Sequence, residues 1–233
     1  MLTAFSAVKT QCTLRFARLL WVALLVLSPQ CLAQTMVAKV ERVIGQASAQ
    51  LPGSLARALK LGDPVYLGDR LTTARGSMLL LGFNDRTQLA LGESTRMAIR
   101  EFSGPDSAQP SFLAEIARGV FRVVTGLIAG KRPAAVKVVT PTATIGVRGT
   151  HFGGETDGAK ARIVLLEPVG EDRSAIEVSN PFGAVAIEEP GFGTEIPDAQ
   201  SPPSAPRRMR LRALDNLVRT LSTIQRMPPR LPR

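Results

Sequence analysis

Val136 to Phe152, V-K-V-V-T-P-T-A-T-I-G-V-R-G-T-H-F, is the stretch whose reading decides the fold. Val136 and Val138 alternate with polar neighbours, and further on Ala143, Ile145 and Val147 alternate with Thr142, Thr144 and Arg148. A period of two marks half-buried strands, whose side chains point to opposite faces in turn. The parity reverses between Val138 and Ala143, so a bend or bulge is expected there. Pro141, which has no N–H to give a ladder, suits such a place. Gly146 and Gly149 bracket Val147 and Arg148, where the backbone can approach a neighbour closely or take positive φ. Arg148 is thereby held on a stiff tract between small residues.

Outward from this stretch the same pattern repeats. Met36 to Ile44 reads as an opening strand, followed by Pro64 to Leu67, Leu71 to Thr73, Ser77 to Phe83, Thr87 to Leu91, Thr95 to Glu101, Phe112 to Ala117 and Val120 to Leu127. Ala161 to Glu167, Ala175 to Ser179, Phe182 to Ile187 and Phe192 to Ile196 follow the central stretch. Turn signals recur at Gly62-Asp63, Gly68-Asp69, Asn84-Asp85 and Gly92-Glu93. Closely spaced short strands with frequent turns predict an all-β domain. Two Leu-Gly-Asp triplets, at Leu61 and Leu67, add a locally solenoid-like stacking without a true repeat.

The two ends differ from this body. Residues 1–33 hold Lys9, Arg15 and Arg18, then the apolar run Leu19 to Leu27, and read as a secretory signal cleaved after Ala33. A retained anchor is the alternative, although spanning takes about 20 apolar residues. Cleavage removes Cys12, Cys31 and Trp21, leaving a mature chain without thiols. After the β domain, residues 34–196, comes a Pro-rich linker, residues 197–206. Leu211, Leu214, Leu217, Val218, Leu221 and Ile224 then recur at helical spacing among Arg207, Arg208, Arg210, Arg212, Arg219 and Arg226. Residues 207–233 therefore read as a basic amphipathic tail. The net charge of +10 is concentrated at the two ends, and the body between them is close to neutral. With export expected, nucleic acid is not an expected partner. Those six arginines mark contact with an anionic envelope surface or a partner groove, the alternative being packing back on the body.

Motifs for chemistry are missing. One histidine, His151, excludes a two-histidine metal motif, and a thiol-free chain excludes a cysteine nucleophile. There is no G-x-S-x-G elbow, and Gly126 to Lys131 is too short for a phosphate loop. Asp63, Asp69, Asp85 and Glu93 lie in or beside turns, where carboxylates accept local N–H bonds more readily than they gather around calcium. No catalytic, metal or cofactor site is expected, and His151 is expected to pack at the edge of the core. Arg148 has two roles open to it: bidentate binding of an anionic ligand, or a structural one on the carbonyls of adjacent turns.

Thr140-Pro141-Thr142-Ala143, then Gly146-Val147-Arg148-Gly149-Thr150 and Phe152, resemble the signature of the FecR domain family, a periplasmic sensory module. The likeness extends to Gly45, Gly62-Asp63, the run from Gly68 to Thr73 and Gly119 to Val123, covering most of residues 37–195. Two positions depart from it. Asp85-Arg86-Thr87 stands where the family tends to have Asp-Gly-Ser/Thr, and His151 stands where an acidic residue is common. The resemblance implies a compact, partly helical-wound all-β fold; the signature at Thr140, Pro141, Gly146, Val147, Arg148, Gly149, Thr150 and Phe152, being rich in Gly, Thr and Pro, is expected to be structural. Full-length members also carry a sigma-factor-regulating region and a membrane helix ahead of the sensory domain. Only 18 residues precede the apolar run here, so anti-sigma activity is not carried over. The expectation is a non-enzymatic exported module, periplasmic or at the cell surface, that recognises an envelope partner. The alternative is a structural scaffold attached through its tail.

Overall fold

The computed structural model describes residues 34–149, 151–168 and 174–225. The expected signal at residues 1–33 lies outside them, as do Thr150 and Arg226. Described residues from Thr35 onward fall in one unit. In chain order the first strands are β1 (Met36–Ile44), β2 (Ala47–Gln50), β3 (Arg57–Ala58), β4 (Pro64–Tyr66), β5 (Arg70–Thr73) and β6 (Met78–Phe83). Next come β7 (Gln88–Leu91), β8 (Arg96–Ser103), β9 (Ser111–Val124), the short helix α1 (Leu127–Lys131), β10 (Val136–Val139) and β11 (Thr144–Arg148). The last are β12 (His151–Thr156), β13 (Ala161–Leu165), β14 (Ala175–Asn180), β15 (Gly183–Ile187), β16 (Phe192–Ile196), β17 (Arg207–Arg208) and α2 (Arg212–Gln225). The described chain is all-β with a terminal helix, as expected. β2 and β3, however, lie outside the strands expected from the sequence pattern.

The strands form two sheets that share β9. One runs β4-β1-β6-β7-β9-β12-β13-β16-β17, the other β3-β2-β5-β8-β9-β10-β11-β14-β15. Among the described residues, only the β9–β10 pairing is parallel. The sequence predicts two strands where β9 is one, because Gly119 carries the chain from sheet to sheet without ending it. Its φ is +115°, and a Cβ there would collide with Thr95 Oγ1, so no other residue fits. Phe112, Ala114 and Ile116 point into the core from the second sheet, Phe121 and Val123 from the first.

The parity change in the central stretch is a hairpin. β10 and β11 pair antiparallel, with Lys137 opposite Gly146. Thr140 Oγ donates to the Ala143 carbonyl at 3.1 Å and accepts from the Ala143 N–H at 3.1 Å, closing the turn over Pro141 and Thr142. The inward set Val136, Val138, Ala143, Ile145 and Val147 is buried as the alternation requires. The two Leu-Gly-Asp triplets build the same turn twice: Asp63 accepts from Lys60 N–H at 2.7 Å and Asp69 from Tyr66 N–H at 2.8 Å.

The chain after β16 lies along the body. Asn180 Nδ2 donates to the Ser201 carbonyl at 2.7 Å, and Thr194 Oγ to that of Ser204 at 2.7 Å. β17 then pairs with β16, and α2 crosses the outer side of the first sheet. Leu211, Leu214, Leu217 and Leu221 are buried there against Met78, Leu80, Ala90 and Val164. Each such leucine contributes roughly 1.5–3 kcal/mol of burial. Gly153 makes the seat: a Cβ on it would sit 2.7 Å from Leu214 Cδ1.

Candidate functional site

The signature residues divide into those that build the hairpin and one that leaves it. Thr140 closes the turn, Val147 is 2% exposed, and Phe152 is fully buried with its ring 6.3 Å from that of Phe121 in an edge-on contact. Pro141 is exposed in the turn, Gly146 lies between Lys137 and Glu177 in the sheet, and Gly149 takes positive φ. Arg148, at the end of β11 opposite Ala175, is exposed and has no side-chain hydrogen bond or ion pair among the described residues.

The turn carboxylates stay apart. Asp69 is fully buried and takes a bidentate bond from Arg57 at 2.8 and 2.5 Å, with the guanidinium 5.2 Å from the Tyr66 ring. That bond raises the Arg57 pKa above its ordinary value. Asp85, also buried, accepts from Thr87 N–H at 3.0 Å and Thr87 Oγ at 2.7 Å. Glu93 accepts from Gly76 N–H at 2.7 Å. Among the described residues, no group of three or more His, Cys, Asp or Glu side chains could hold a metal. Arg86 stands between these bonds with φ +70°, the conformation that a glycine adopts at no cost.

His151 is 8% exposed and bonded at both ring nitrogens. Arg122 Nε donates to Nε2 at 2.6 Å, so Nδ1 carries the proton and donates to the Glu167 carbonyl at 2.7 Å. Burial, then repulsion from Arg122, lowers the imidazole pKa from 6.5 to about 4. Burial also lowers that of Arg122. The neutral imidazole is thus fixed by a cation on one side and a carbonyl on the other.

The arginines of the tail are presented differently. Arg207 bonds Glu195 at 2.6 Å and the Arg208 guanidinium stands 5.7 Å from the Phe192 ring. Arg210, Arg212 and Arg219 are exposed. The apolar side of α2 is already buried on the first sheet. No helix of the described residues is long and apolar enough to cross a membrane.

A feature absent from the sequence expectation is a cleft of about 360 Å³ on the second sheet, lined by Arg70, Arg96, Arg100 and Glu115 with Ser48, Thr72 and Ala98. The alternation of β8 puts Arg96 on the side opposite Met97 and Ile99, but only the register, Arg70 beside Ala98 and Thr72 beside Arg96, brings Arg70 into the same group.

Compared with known proteins, residues 69–168 match the model of the family described as FecR protein. No curated protein matches the chain. Two crystal structures of a candidate anti-sigma factor from Parabacteroides distasonis align at TM-score 0.47. They are 14% and 13% identical, and each alignment covers 67% of this chain. The alignments span 65% and 64% of those chains, so this chain matches under two thirds of their length. The likeness to the FecR family is thus that of residues 69–168.

Proposed function

We propose that this protein is a non-enzymatic, exported FecR-domain module that senses or binds a component of the cell envelope and serves signal transduction through a partner protein. The observation that carries the reading is the FecR match across β5 to β13, where Asp69, Asp85 and Thr140 are spent on turns. Asp69, Asp85 and Thr140 each hold a local bond, so the matched chemistry specifies a scaffold and leaves recognition to exposed groups such as Arg148. Export rests on the basic segment and the apolar run ahead of Ala33. The partner is an envelope protein or an anionic envelope surface.

The test is photo-crosslinking in cells, with a crosslinking residue placed at Lys137 or Glu177, both exposed beside Gly146. A discrete envelope adduct at these positions, absent from a position under α2, is expected. Absence of any adduct in the envelope fraction, or recovery of the chain with its first 33 residues in the cytoplasm, defeats the reading. Attachment as a scaffold through the tail has less to draw on. With the leucines of α2 turned to the first sheet, its described outer side is polar, with Arg212, Asn216, Arg219 and Thr220 exposed.

A further inference from the structure

Period-two alternation in β5 and β8 sends Leu71, Met97 and Ile99 into the core and leaves Arg70, Thr72, Arg96 and Ala98 outside. Arg100, next in the same alternation, is exposed as well, and the register shifts just beyond it. Arg100 Nε is bonded to Glu115 at 2.5 Å. Arg70 and Arg96 have no ion pair or side-chain hydrogen bond among the described residues. Arg96 is moreover in register with Arg118, another exposed arginine without an ion pair or side-chain hydrogen bond among the described residues. Like charges directly opposite one another destabilise a strand pair. A sheet that has to hold only itself together gains nothing from them, whereas an anion seated in the cleft beside Arg96 offsets the repulsion.

We infer that this cleft is an anion-binding site for a phosphomonoester. Three guanidinium groups against one carboxylate leave two positive charges on the lining, and a phosphomonoester carries about −1.5 to −2 near neutral pH. A carboxylate ligand would leave one cation unmatched. Arginine forks match the paired oxygens of phosphate. The volume, about 360 Å³, suits a small headgroup at the lower end of ordinary ligand sites. The lining has no aromatic ring, so a bare sugar face has no platform to stack on. Ser48 and Thr72 on the floor supply hydroxyls for the remaining oxygens. The ester is either soluble or the headgroup of a lipid. The inference takes nothing from export or from signalling, so its failure leaves the sensory reading standing.

The experiment is calorimetric titration of the full chain with glycerol 3-phosphate and, separately, acetate, with vesicle cosedimentation as a second arm. Glycerol 3-phosphate is expected to bind well ahead of acetate. Arg70→Gln and Arg96→Gln should each weaken it about tenfold or more, as expected on losing a charge-assisted pair. Glu115→Gln, which releases Arg100, should tighten it several-fold, an effect of opposite sign that loss of structure cannot produce. Melting temperatures of the variants verify that they are folded. Preference for phosphatidic acid over phosphatidylglycerol vesicles of equal surface charge, lost in Arg96→Gln, assigns the lipid-borne ester. Binding of glycerol 3-phosphate without that preference assigns a soluble one. Equal binding of acetate, unchanged binding in both arginine variants, or weaker binding in Glu115→Gln overturns the site.

Discussion

The outer sides of the two sheets are made from the same alternation and end differently. On the first, the outward residues Met78, Leu80, Ala90 and Val164 are apolar, and Leu211 and three leucines of α2 cover them. On the second, the outward residues include Ser48, Thr72, Ala98 and Gly146, with Arg70, Arg96, Lys137 and Arg148 standing exposed among them. Period two tells which residues leave the core. What they meet outside depends on whether they are greasy enough to demand a cover. The tail supplies the cover for one sheet, and charge keeps the other open to solvent and to ligands.

The largest effect should come from uncovering the first sheet. Leu214 is 1% exposed and seated on Gly153. Leu214→Ala removes buried methyls and leaves a cavity between rigid strands, which costs about 3 kcal/mol. Denaturant unfolding should show that loss, together with earlier proteolysis after Arg207. A stability unchanged by this substitution would mean that α2 does not depend on the sheet, and the contrast between the sides would collapse.

Nearly as large is an acid effect on the same sheet. His151 and Arg122 lie on β12 and β9, and the fold favours neutral imidazole. Its pKa is about 4 when folded and near 6.5 when unfolded. Between those values the unfolded chain binds more protons, so stability from this group is complete above about pH 6.5 and falls as the pH drops towards 4. The total is roughly 3 kcal/mol, with no further loss below. Unfolding midpoints at pH 7.5, 5.5 and 4.5 measure it, and His151→Gln should flatten the slope.

Arg86 gives a control of intermediate size. It holds φ +70° in the turn joining β6 to β7. A side chain in that conformation costs about 1–2 kcal/mol, against about 0.5–1 kcal/mol for the extra chain entropy of glycine. Arg86→Gly should therefore raise stability by up to about 1 kcal/mol, read as a higher melting temperature. As it removes a cation from outside the cleft, anion binding should stay as it was.

How much was legible follows from the same physics. Strand positions, the buried valines of the central stretch and the leucine stripe of α2 are local patterns, and alternation or helical spacing exposes them. β2 was missed because Ala47, Ser48, Ala49 and Gln50 carry too little apolar contrast for a period to register. The joining of two expected strands into β9 depended on what Gly119 meets, Thr95, which is a contact distant in sequence. The arginine cleft was invisible for the same reason. Arg70 and Arg96 lie far apart in the sequence, and only the β5–β8 register makes them neighbours. Arg148 could be singled out from its motif, but its lack of a bond among the described residues is a matter of where the turns around it went.

The smallest expected effect is also the sharpest on the open sheet. Arg118 faces Arg96 across the strand pair, and both are exposed. Arg118→Glu replaces a like pair with an opposite one, for which about 0.5 kcal/mol of added stability is reasonable in such a cross-strand pair. The gain should shrink as salt rises, because exposed charges are screened. If the arginines are there for an anion, this more stable variant is also the poorer binder of glycerol 3-phosphate, because the introduced carboxylate engages Arg96. Stability and binding moving in opposite directions is the signature of a site held against the interest of the fold. Were the variant less stable, Arg118 would have to be counted with the scaffold, and the second sheet would be no more open than the first.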